Sequence, residues 1–194
     1  MKPNVKENPK FSERRNHILE AAYGVFGQYG FRRTSMDDIA KAAGISRPSL
    51  YQHFANKNDI FSALVDRALA TSIAEAEQSL REPKPLPKQL ADLFEIMFVS
   101  HHRALESLPH GDEILGMKSD FVTDLFMKWD EEKRQLFERA LSGEPQFKNG
   151  LASSLAQMIS LSISGMKSRN LSVVDIEKEV ASLIDVTLAA RSGG

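Results

Sequence analysis

The chain has no cysteine among its 194 residues. That excludes a disulfide framework, a thiolate metal site and a cysteine nucleophile. It has no run of about 18 apolar residues, so no segment is expected to span a membrane. The polar N-terminal stretch lacks the apolar core of a secretory signal. A cytoplasmic protein fits these absences. Strand-like alternation is missing throughout, which points to an all-α fold. There is no HEXXH pattern, nucleophile elbow, phosphate-cradling glycine loop or acid/base carboxylate pair, so neither an enzyme nor a cofactor is expected. An excess of one charge is also missing: the net charge is −1.

What is present is ordinary in amount and uneven in placement. Apolar residues make up 42% and charged residues 26%, as in a typical globular protein. Residues 1–60 carry ten Lys/Arg against six Asp/Glu, a balance of +4, and residues 61–194 a balance of −5. A basic excess confined to one end is the electrostatic footprint of a nucleic-acid contact.

That basic end contains TSMDDIAKAAGISRPSLYQHFANK, residues 34–57, which reads as two short helices around a tight turn. Ser35 is an N-cap and Asp38, three residues on, completes an acidic capping box. Ile39, Ala40 and Ala43 give an apolar side, and Gly44 stops the helix because it tolerates the left-handed conformation. Ser46 caps again, and Pro48 is tolerated in a first turn. Leu50 and Phe54 share the inner side of the second helix. The opposite arc carries Pro48, Ser49, Gln52 and His53, flanked by Arg47 and Tyr51, and none of these is acidic. Donors centrally for base edges, with phosphate contacts beside them, are what a helix in a major groove needs. Asn56 caps a further helix, and Lys57 at its start makes a phosphate clamp.

This run closely resembles the helix-turn-helix of the TetR family of transcriptional regulators, and ILEAAYGVFGQYGF is similar to that family's first helix. The resemblance covers roughly residues 12 to 65. It implies that Ser35, Ser49, Tyr51, His53 and Lys57 contact phosphates and that Arg47, Pro48 and Gln52 face bases, with Thr34 also in the DNA-contacting set. Where some relatives place a base-reading arginine, this chain has Asp37.

The expected architecture is an N-terminal three-helix DNA-binding unit (1–60) followed by a larger helical effector-binding and dimerisation domain (61–194), about nine helices in all. A helix from Ser12 to Tyr29 covers the helix-turn-helix through Ile18, Ala22, Val25 and Phe26. A long helix runs from Asn58 to Arg81, where REPKPLP breaks it. Further helices follow over Leu86–Leu108, from a Ser119 cap through Phe137, over 147–167, and over 173–191 capped by Ser172.

In the last two helices Leu151, Leu155, Met158, Ile159 and Ser162, then Val180, Leu183, Ile184, Thr187 and Leu188, recur at helical spacing. They are expected to form half of a four-helix homodimer interface, as the family resemblance also implies. A dimer would read a near-palindromic operator in double-stranded DNA. The resemblance further implies a small-molecule effector among the central helices. Phe94, Met97, Phe98, His101, Met117, Phe121 and Trp129 would suit an apolar or aromatic ligand, although such residues at helical spacing equally make a core. The reading is a repressor whose operator affinity the effector lowers. Alternatives are a regulator without a ligand, and a metal-binding helical protein using His101, His102 and His110 with Asp112 and Glu113. Against the last, adjacent histidines on a helix point about 100° apart.

Overall fold

A computed structural model describes residues 9–115, 120–169 and 171–190, without the side chains of residues 9 and 115–122. The described residues are helical: α1 (Pro9–Tyr29), α2 (Met36–Ala42), α3 (Arg47–Tyr51), α4 (Lys57–Arg81), α5 (Leu86–Phe94), α6 (Ser100–Glu106), α7 (Gly111–Leu115), α8 (Asp120–Ser142), α9 (Leu151–Ser168) and α10 (Val173–Ala189). A π-helical turn over Glu95–Val99 joins α5 to α6 without leaving helical backbone. With those two counted as one rod, the described residues form nine α-helices, in line with the sequence. The wide turn lets three consecutive residues, Met97, Phe98 and Val99, all be buried.

The termini follow local chemistry. Ser35, Ser46 and Ser172 each accept a backbone N–H of the next first turn. Asn56 accepts from Asp59 N at 3.0 Å, while the Asp59 carboxylate accepts from Ala55 N at 3.1 Å. Gly44 has φ +62°, and Ile45 N donates to Ala40 O at 3.0 Å. The helix expected from residue 147 starts later: Pro145–Phe147 is a 3-10 turn, and α9 begins after Gly150 at φ +81°. The expected cap at Ser119 lies outside the described residues.

Two compact units result. The first comprises Met1–Arg67 with Leu108–Met117, and the second Ala68–Ser107 with Lys118–Gly194. The sequence suggested a boundary near residue 60 and no return of the chain to the first unit. Residues 108–115 return because glycines receive them: His110 N donates to Gly27 O at 3.0 Å, and Leu108 occupies the space a Gly27 side chain would need. The first core gathers Ile18, Ala22, Phe26, Ile39, Leu50, Phe54, Ile60 and Phe61. Each such large side chain contributes about 1.5–3 kcal/mol by leaving water. The second core gathers Leu90, Leu93, Phe94, Phe137, Ile159, Ile163 and Ile176 among others, with Phe94 and Phe137 rings 4.8 Å apart. No described helix is long and apolar enough to cross a membrane.

Candidate nucleic-acid interface

The first unit holds α3 by burying Leu50 completely, which turns the opposite arc outward. Arg47, Pro48, Tyr51 and Gln52 are exposed, and Ser49 is half-buried. Pre-organisation extends to α2. Ser35 N donates to the Asp38 carboxylate at 2.9 Å and Asp38 N donates to Ser35 Oγ at 3.2 Å. The Ser35 hydroxyl and N–H hold the Asp38 carboxyl below its usual range. Arg47 leans back on its own protein: its Nε is 3.2 Å from Asp37 Oδ1, and its guanidinium donates to Tyr51 Oη at 3.4 Å. Asp37, the departure noted in the sequence, thus holds a base-reading candidate in an exposed ion pair.

Three members of the expected DNA-contacting set have partners inside the first unit. Thr34 is buried, and its Oγ1 donates to Gly30 O at 2.7 Å. Lys57 does not extend a free ammonium at a helix start. Its Nζ donates to Phe31 O (2.8 Å), Arg32 O (3.0 Å) and Thr34 O (2.9 Å), and lies 4.7 Å from the Phe31 ring centroid. A lysine has three N–H donors, so this one braces the connection between α1 and α2. His53 sits on the flank rather than the outer arc. It is half-buried, stacks on Phe11 with ring centroids 4.4 Å apart, and has a buried Nδ1 without a hydrogen-bond partner. Burial, then the charges of Arg15 and Arg14, lower its pKa, so near neutral pH the ring is uncharged.

Sequence reasoning missed Phe11 and the role of Arg15. Arg15 donates to His53 O at 2.8 Å and lies 4.1 Å over the Phe54 ring, clamping α1 to the end of α3. Its position one turn before Ile18 was the available signal.

In the second unit the expected effector residues divide. Phe94, Met97, Phe98 and Trp129 are buried members of the core, as aromatic residues at helical spacing usually are. His101 is half-buried. Met117 lies outside the described residues, as does the side chain of Phe121. His101 shares a 2.6 Å hydrogen bond with Ser72 Oγ, while His102 Nε2 faces Leu171 O at 3.1 Å. Among the described residues no group of three His, Asp or Glu is arranged to hold a metal ion.

The expected interface residues divide too. Leu155, Ile159, Val180 and Thr187 are buried inside the protomer. Leu151, Ser162, Leu183, Ile184 and Leu188 are half-buried and Met158 is exposed. Helical phase accounts for the division: the inward arc of α9 is Ala152, Leu155, Ala156, Ile159, Ser160, Ile163 and Met166. Met158 and Leu161, 56% and 62% exposed, define its outer arc. On α10 the exposed large apolar residues are Val174 at 59% and Val186 at 64%.

Comparison with known proteins fits this geometry. Residues 18–64 match the family described as bacterial regulatory proteins, tetR family. The HTH-type transcriptional regulator TtgR of Pseudomonas putida is 35% identical over 119 residues, 58% of this chain and 54% of that protein. The chain thus spans about half the length of that curated relative. The SmeT–triclosan complex superposes with a TM-score of 0.64 at 25% identity, covering 94% of this chain and 93% of that one. A TetR transcription regulator from Haloarcula marismortui ATCC 43049 shares the fold, with a TM-score of 0.77 at 17% identity over 93% of this chain and 100% of its own.

Proposed function

We propose that the chain, whose residues 18–64 match the tetR family of bacterial regulatory proteins, is a member of that family and a sequence-specific DNA-binding transcriptional regulator. The reading is a cytoplasmic homodimeric repressor that a small-molecule effector releases from its operator. One observation carries the DNA-binding reading: α3 buries Leu50 and exposes Arg47, Pro48, Tyr51 and Gln52, an arc without an acid, on a helix capped by Ser46. Such a helix presents guanidinium and amide donors to base edges while Ser35, Ser49 and nearby backbone N–H groups position phosphates. One five-residue helix discriminates few base pairs, and each wrong pair costs about 1–3 kcal/mol. Two copies related by a twofold axis double the read length. The outer arcs of α9 and α10, with Met158, Leu161 and Val186, supply apolar surface suited to that pairing.

Selection from a random duplex pool with the full chain tests this reading. The expected product is a near-palindrome bound by a dimer, with binding that weakens steeply as salt rises. Retention of all duplexes alike at low salt, or of none, overturns it. Met158→Glu with Leu161→Glu is expected to shift the protein to monomers in sedimentation and abolish operator binding. An unchanged dimer sinks the interface assignment.

The ligand part of the reading is supported by the polar group around His101 in the second unit, and by the ligand present in the SmeT complex, triclosan. Met and aromatic residues nearby make an adaptable wall for an apolar body.

A further inference from the structure

α3 has five residues and one buried side chain, Leu50. Isolated helices shorter than about 12 residues are marginal in water, because the first turn is costly and few further bonds follow it. Whatever fixes the two ends of α3 therefore fixes the direction of the side chains it exposes. At the N-terminal end Ser46 Oγ accepts from Ser49 N at 3.3 Å, and Arg47 pairs with Asp37. At the C-terminal end the N–H groups of Gln52, His53 and Phe54 bond carbonyls of Pro48, Ser49 and Leu50. The carbonyls that follow have no partner within the helix and need one elsewhere.

α1 supplies it. Arg15 Nη1 donates to His53 O at 2.8 Å, although 38 positions separate the two residues. The same guanidinium lies over the Phe54 ring, 4.1 Å from its centroid, and Phe54 is itself buried. One turn earlier on α1, Phe11 stacks on the His53 ring with centroids 4.4 Å apart. Two side chains of α1 thus hold His53 and Phe54, the residues just past the α3 C-cap Gln52. They do so through one charge-assisted hydrogen bond, one cation–π contact and one ring stack. Arg15 suits the task because a guanidinium is a flat fork: one N–H donates in its plane while its face rests on a ring.

From this we infer that Arg15 is a positioning residue for DNA reading. Acting through His53 and Phe54, and without touching DNA, it sets the angle at which the C-terminal end of α3 presents Gln52 to base edges. The inference rests on the DNA-binding reading of α3 and adds a specificity-determining residue outside the helix-turn-helix. Its consequence is particular to one end of the helix. Loss of the Arg15 bond frees the end that carries Gln52, while Ser46 and Asp37 still hold the end that carries Arg47. A hydrogen bond to a base edge weakens steeply as its angle closes, whereas attraction to phosphates is sequence-independent and follows charge.

The test uses the full chain and the operator selected from the random duplex pool, with each operator base pair replaced in turn. Gln52→Ala and Arg47→Ala first mark the base pairs read by the two ends of α3. Arg15→Met keeps an apolar stem and removes the donor, and a cooperative melt above the assay temperature establishes that it folds. It is expected to lower the ratio of operator to scrambled-duplex affinity by about tenfold, the scale of one misread base pair. The salt slope is expected to stay as it was, since no phosphate contact is lost. The loss is expected at the base pairs marked by Gln52→Ala, where the double variant is non-additive, and not at those marked by Arg47→Ala. If Arg15→Met does not melt cooperatively, Arg15→Lys takes its place; it keeps a donor but not the flat fork, and a smaller loss at the same base pairs is expected. An unchanged ratio in a folded Arg15 variant, or a loss spread equally over both ends, overturns the positioning role. A salt slope reduced by about one with the ratio intact makes Arg15 a phosphate contact and overturns it too. A wild-type chain without any operator preference removes the DNA-binding reading, and the inference with it.

Discussion

The Glu113 carboxylate accepts a hydrogen bond from the backbone N–H of Arg32 at 2.9 Å, across 81 positions of sequence. It does so over Gly30, which has φ +83° and lies so close that a side chain there would strike the second carboxylate oxygen. Gly30→Ala is therefore expected to destabilise the first unit by about 1–3 kcal/mol, combining left-handed strain with the displaced carboxylate. A urea titration of the full chain reads this directly. Glu113→Ala in the Gly30→Ala background should recover part of the loss, and full additivity would contradict the clash.

The bonds of Lys57 change what its removal does. Lys57→Ala takes the donor from three carbonyls and is expected to cost about 1–3 kcal/mol of stability, with DNA binding falling alike on all sequences as the α1–α2 connection loosens. Gln52→Ala should leave the melting temperature unchanged and relax preference at particular base pairs. A Lys57→Ala protein with wild-type stability and a reduced salt slope would restore the phosphate-clamp role instead.

His53 gives the first unit a pH dependence of definite sign. Its folded pKa lies below the unfolded value near 6.5, so the folded state binds fewer protons. The stabilisation it contributes is complete above that value and is lost as pH falls through the folded pKa. His101 acts in the same direction. His53→Gln is expected to flatten, without abolishing, the loss of stability between neutral pH and pH 5. Identical slopes for variant and wild type in melts across that range would remove His53 from the account.

Asp37 holds Arg47 through an exposed ion pair, an interaction worth little to stability. Asp37→Asn is expected to raise affinity for the selected operator severalfold by freeing the guanidinium and removing an acid close to phosphates. Unchanged melting and unchanged affinity together would mean that the pair opens on DNA without effect.

Capping chemistry and helical period made much of this protein legible in advance. Ser35, Asp38, Gly44, Ser46 and Leu50 act within a few residues of themselves, so local hydrogen bonding and one buried side chain set α2, the turn and the exposed arc of α3. The same locality placed the proline break after Arg81 and the Ser172 cap. What local rules could not decide was which of several polar groups would find a distant partner. Lys57 reads from the chain as a free cation at a helix start, and three carbonyls more than twenty residues away engage it. Leu155 and Ile159 share a helical face with Met158 in the sequence, but packing in the second unit takes the first two and leaves Met158 outside. Lys133 is buried on α8 and pairs with Asp130, while Ser72 on α4 and His101 on α6, 29 positions apart, share a hydrogen bond. Sequence by itself thus determined the helices and the exposed arc of α3, because those follow from neighbours along the chain. Tertiary structure decided which charges are engaged and which apolar residues stay uncovered, because both depend on contacts between residues the chain order keeps far apart.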